Sequence, residues 1–172
     1  MEAKHNNLSR FLRQEDTKFF IPVYQRNYDW KKEQCEQLLK DIVLNHKENP
    51  NKEYFIGSIV YTSRSQTTRR DIIIIDGQQR ITTINLILLA VSRILEKSGD
   101  PLGQKIWNKF IQNEDGQEDN KLKLKHNQKD FNEYENLISE NYERIRNGSR
   151  IYENYKYYLE QINNPEKALK VY

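Results

Sequence analysis

The residues best suited to chemistry lie in one short segment, DGQQR at residues 76–80. Four consecutive isoleucines precede it and a long helical pattern follows. That order places the segment at a strand-to-helix turn. Gly77 in such a turn allows the backbone to approach a ligand closely. The helix start offers unpaired N–H groups and the positive end of the dipole, both suited to phosphate. Arg80 adds a forked cation for phosphate oxygens. Asp76 is the kind of carboxylate that holds Mg²⁺, and Gln78 or Gln79 the kind of amide that orients a water in phosphoryl transfer. Thr82 and Thr83 add hydroxyls one turn further on. A purely structural account also exists: Asp76 as N-cap with Gln79 three residues later is a capping box. It leaves the crowding of Gln78, Gln79 and Arg80 on one turn without a reason.

A second candidate is IPVYQRNYDW at residues 21–30. An extended stretch carrying Gln25, Arg26 and three aromatic rings can stack a base and clamp phosphate. The alternative is a surface loop whose rings cover the edge of the core. Arg64, Arg69 and Arg70 fall in a polar stretch, residues 63–70, expected as a loop; they are candidates for DNA phosphates, with a solvated loop as the alternative. Lys121, Lys123 and Lys125 share one strand face and are expected to guard a solvated edge. Tyr152, Tyr155 and Tyr158 recur at helical spacing, which reads as packing. His5, His46 and His126 are far apart and are expected at the surface; no Cys/His spacing suits zinc.

These residues need elements to hold them. Residues 31–47 read as an amphipathic helix, with Cys35, Leu38, Leu39, Ile42 and Val43 at helical spacing. Residues 7–13 read as a short helix, and residues 18–23 as a short strand ended by Pro22. Residues 54–62 read as a strand containing Gly57. Residues 71–75 read as a strand buried on both faces, because every residue after the first is apolar. Residues 79–97 are apolar around most of the circumference and form the expected central helix, stopped by Ser98-Gly99-Asp100-Pro101. Helices are expected at 101–112, 128–139, 149–162 and from 165 onward. A polar loop is expected at 113–120, and strand periodicity at 121–125.

The fold expected is α+β: a small mixed sheet with helices over residues 1–99, then a mainly helical extension over residues 100–172. The 172 residues suit that size. One cysteine excludes an internal disulfide, and the longest apolar runs are too short to span a bilayer. With a mean hydropathy of -0.98 and no visible signal peptide, a soluble protein of a reducing, cytoplasmic compartment is expected. Net charge is +3. The first 99 residues hold 16 basic against 12 acidic residues, so the excess sits with the DGQQR segment. It permits an anionic ligand but is no nucleic-acid signature by itself.

Three blocks in order, IPVYQRNYDW, YFIGSIV and IIIIDGQQRITTINLILLA, resemble the N-terminal domain of the GmrSD family of modification-dependent restriction endonucleases. The later KLKLKHNQKDF and RIYENYKYYLE look like the family's helical continuation. That family serves phage defence, and its N-terminal domains look like ParB and sulfiredoxin folds. The resemblance implies that Asp76, Gly77, Gln78, Gln79 and Arg80 bind a nucleoside triphosphate and support its hydrolysis. It implies that Gln25 and Arg26 face the same pocket. Full-length members carry a C-terminal nuclease domain with an HNH-type metal site, so modified DNA and a nuclease domain or subunit are the implied partners. No nuclease activity is expected in these residues, and the chain reads as a fragment of something longer. A homo-oligomer is compatible with this reading and a membrane partner is not. Two alternatives stay open: a non-hydrolytic ParB-like nucleotide switch, and a DNA or protein interaction module.

Overall fold

The computed structural model describes residues 6–50, 52–66, 69–113 and 121–164. His5, most of the acidic loop at 113–120 and the helix expected from 165 lie outside the described residues.

Four strands form one mixed sheet in the order β2-β3-β1-β4. β1 (Thr17–Phe20) runs parallel to both β3 (Arg70–Asp76) and β4 (Leu124–Lys125), while β2 (Val60–Ser65) pairs antiparallel with β3. Phe19 sits opposite Ile72 on one side and Leu124 on the other. The helices are α1 (Leu8–Leu12), α2 (Lys32–Glu48), α3 (Gln78–Lys97), α4 (Leu102–Ile106), α5 (Gln128–Ile138) and α6 (Arg150–Asn163). The expected α+β class with a small mixed sheet is what the chain adopts.

α3 organises the interior because its sequence is apolar nearly all round. Its first half packs Ile81 and Ile84 against Phe19, Ile72, Ile74 and Leu124 of the sheet. Further along, Leu86, Leu89 and Ala90 pack against Cys35 of α2, Tyr134 and Leu137 of α5, and Tyr155 and Tyr158 of α6. Leu86 and Leu89 are fully buried, and each contributes about 1.5–3 kcal/mol by leaving water. The boundary expected at residue 100 falls just after α3, yet β4 joins the same sheet as β1 and α6 packs along α3. Among the described residues no helix is long and apolar enough to cross a membrane.

Several elements depart from the local pattern. Residues 54–59 are not strand; β2 begins at Val60 and runs on through Ser65, so Arg64 is in a strand rather than a loop. The interruption is at Gly57, whose φ of +100° breaks an extended run. In β3 only Ile72 and Ile74 face the cluster under α3, whereas Ile75 is exposed, so the strand is not buried on both faces. The helix expected at 101–112 stops at Ile106 and continues as a wider π turn, Trp107–Ile111, in which Gln112 N–H donates to Trp107 O. Lys123 is buried rather than solvated, and its Nζ donates to Gln14 O at 2.9 Å. His126 is buried too, correcting its expected surface position: the short β4 carries it directly under α3, against Thr82 and Tyr134.

Candidate functional site: the start of α3

The strand-to-helix turn is built by Gly77, the N-cap of α3, at φ +93°. A left-handed cap is available to glycine at little cost. Gly77 has no side chain to bond the helix, so α3 starts without a side-chain cap. The capping box expected from Asp76 and Gln79 is therefore absent: Asp76 ends β3, one residue too early. Its carboxylate is exposed and has no hydrogen-bond or ion-pair partner among the described residues. A helix start without a side-chain cap favours an anion at its first N–H groups, although Gly77, Gln78 and Gln79 are themselves buried here.

Gly77 is also where another backbone comes close. A Cβ there would meet Ile59 Cγ1 at 3.2 Å and Ser58 O at 3.3 Å. The close approach read from the sequence as room for a ligand is made by the protein's own 57–59 segment. That segment holds Arg80 as well. Arg80 Nη1 donates to Ser58 O at 2.7 Å, and the guanidinium lies over Gly57, where a Cβ would fall 2.7 Å from Cζ. Gly57 and Ser58 were not singled out by sequence reasoning; the glycine inside an apparent strand was the signal.

Residues 25–30 approach from the other side. Gln25 Nε2 donates to Ile75 O at 2.8 Å, and Gln78 Nε2 donates to Gln25 Oε1 at 3.1 Å. Gln79 turns inward. Its Oε1 accepts from Asp29 N–H at 2.8 Å and Trp30 N–H at 3.3 Å, and its Nε2 donates to Asn27 O at 3.0 Å. Three of the four hydrogen-bonding positions of that amide are thus occupied. Gln25 stands with the turn, as expected. Arg26 is instead exposed and lines a separate pocket with Lys129, Arg146 and Arg150.

Thr82 and Thr83, expected near a nucleotide, face the interior. Thr83 Oγ1 donates to Gln79 O and meets Tyr28 OH at 2.8 Å. Thr82 Oγ1 lies 3.2 Å from His126 Nε2. They lie about one turn into α3, on its core face, where both are buried. Tyr28 OH also accepts from Asn154 Nδ2 at 3.0 Å and lies 3.4 Å from Cys35 Sγ. Burial raises both the Tyr28 hydroxyl and the Cys35 thiol above their ordinary ranges, so both stay neutral. Arg69 ends the β2–β3 connection, with its Nε 2.8 Å from Asp71 Oδ1, and Arg70 opens β3.

An α+β domain in which three separated sequence blocks meet at an uncapped helix start is thus defined. Residues 8–172 match the family model of the GmrSD restriction endonuclease, N-terminal domain, and the chain belongs to that family. No match was found among curated proteins.

Among the described residues no group of three or more His, Cys, Asp or Glu side chains could hold a metal ion. A lone carboxylate such as Asp76 suits Mg²⁺ only where phosphates complete the oxygen ligands.

Proposed function

We propose that the start of α3 binds a nucleoside triphosphate, and that its binding and hydrolysis regulate a modification-dependent DNA restriction activity. The observation that supports this reading is the meeting of all three blocks at one uncapped helix start: Gln25 on Gln78, Ser58 on Arg80, and the free carboxylate of Asp76 beside them. The N–H groups of the first turn receive phosphate oxygens. Arg80 exchanges Ser58 O for a phosphate oxygen, a charged acceptor that binds it more strongly. Asp76 holds Mg²⁺ that arrives with the phosphates and shields their charge. Gln78, whose Oε1 accepts from no donor among the described residues, is the amide left to orient a water. Gln79 and Gln25 position the 25–30 segment. In this reading DNA and a nuclease domain or subunit are the partners, in keeping with the family.

The engagement of Gln79 favours a second reading, in which nucleotide binds without turnover. Asp76→Asn separates the two. Because Gly77 is the N-cap, the substitution should leave the melting temperature near wild type. Under the hydrolytic reading, release of phosphate from labelled nucleoside triphosphate with Mg²⁺ falls. Failure of all four nucleoside triphosphates to raise the melting temperature of the wild-type chain would refute both.

A further inference from the structure

A pocket of about 410 Å³ opens between residues 26–29, the start of α5 and the start of α6. None of residues 76–80 lines it. We infer that it is a second anion site, built for the phosphate groups of a compact small-molecule ligand.

Charge is the first argument. Arg26, Lys129, Arg146 and Arg150 line the pocket, against two carboxylates, Asp29 and Asp130. Asp130 is already engaged, accepting from Tyr28 N–H at 2.6 Å. Arg26 has no hydrogen-bond or ion-pair partner among the described residues. Lys129 makes no ion pair within 4 Å among them. The other two arginines are held by carboxylates of their own neighbourhood: Arg146 Nε stands 3.6 Å from Glu133, and Arg150 Nη1 stands 2.8 Å from Glu153. These four cations come from three separate segments of the chain. Arg26 and Lys129 make no ion pair within 4 Å among the described residues, so these are the charges an entering anion meets first.

Shape and chemistry narrow the ligand. The volume lies in the range of small-molecule sites. A concave mouth admits a compact polyanion, whereas a duplex presents its phosphates along a smooth cylinder. Three guanidinium forks suit phosphate oxygens better than point charges would. α6 begins at the wall, with Ser149 as its N-cap, and adds the first N–H groups of a 14-residue helix.

Tripolyphosphate, which carries no base or sugar, is the probe. It is titrated calorimetrically into the whole chain in the wild-type, Arg80→Ala, and Arg80→Ala/Arg26→Gln forms, with Lys129→Gln as an independent variant. Arg26 and Lys129 are exposed, and circular dichroism checks the fold. The Arg80→Ala chain should keep one saturable site, weakened about tenfold or more by Arg26→Gln and by Lys129→Gln. Absence of a site in Arg80→Ala, or a site indifferent to Arg26 and Lys129, overturns the inference without touching the α3 reading. Binding of a short oligonucleotide that depends on Arg26, with none of tripolyphosphate, also overturns it.

Discussion

His126 gives the sharpest physical test of the interior. Its ring is buried between Thr82 and Tyr134, with Nε2 at 3.2 Å from Thr82 Oγ1 and the ring centroids 4.6 Å apart. Nδ1 has no protein partner among the described residues. Burial lowers its pKa from 6.5 to about 3, so the folded chain keeps it neutral where the unfolded chain protonates it. The unfolded state then binds more protons, and stability falls as pH falls from the unfolded value toward the folded one. Two pH units below the unfolded pKa the loss is about 2.7 kcal/mol. His126→Gln keeps a polar atom for Thr82 and cannot titrate. It loses the ring contact, about 0.5–1.5 kcal/mol at every pH. Urea unfolding at about pH 7 and about pH 4.5, followed by tryptophan fluorescence, compares the two chains. Carboxylates titrate in both and cancel in the difference. The variant should be the less stable at neutral pH and should gain about 2.7 kcal/mol relative to wild type on acidification. Parallel pH dependence in the two chains would show that His126 is not buried neutral.

The other predictions concern the α3 start. Gln79→Ala strips Asp29 N–H, Trp30 N–H and Asn27 O of their partner and should cost about 2–3 kcal/mol in urea unfolding; a change under about 0.5 kcal/mol would mean that Gln79 does not hold the segment. Gly57→Ala forces a side chain onto a left-handed backbone and against the guanidinium, costing about 1–2 kcal/mol. Part of that cost should vanish in an Arg80→Ala background, with a coupling of about 0.5 kcal/mol or more; additivity would place Arg80 elsewhere.

The strand-helix frame was legible because it is local. Four isoleucines, a glycine and a 20-residue apolar-rich helix carry their periodicity within a few residues of one another. Gln25 beside the turn was expected from the resemblance, not from spacing. What the sequence did not disclose depends on contacts made across the chain. Thr82 and Thr83 look like site hydroxyls until α5, α6 and β4 close over that face of α3. Lys123 and His126 flank the shortest strand, where alternation over so few residues cannot tell an inner face from an edge. The pocket of Arg26, Lys129, Arg146 and Arg150 has no local signature, since its members are up to 124 positions apart and meet only once α5 and α6 are docked.

The segment from Gln25 to Trp30 is gripped from both sides, and this limits how the two proposed anion sites could communicate. Gln79 binds Asn27, Asp29 and Trp30 from the α3 side. From the other side Asp130 binds Tyr28 N–H, Asn154 Nδ2 donates to Trp30 O, and Asn127 Nδ2 donates to Gln25 O. Each such bond contributes about 1 kcal/mol, so peeling the segment away costs on the order of several kcal/mol. A ligand could drive that opening only with a matching preference for the open state. A rigid segment transmits differently. It fixes the distance between the uncapped helix start and the basic pocket, so that a partner reading both surfaces meets them in one geometry. If both proposed sites bind their ligands, communication between them would run through the charge each ligand brings and through the surface presented to a partner, with the hydrogen-bonded segment left intact.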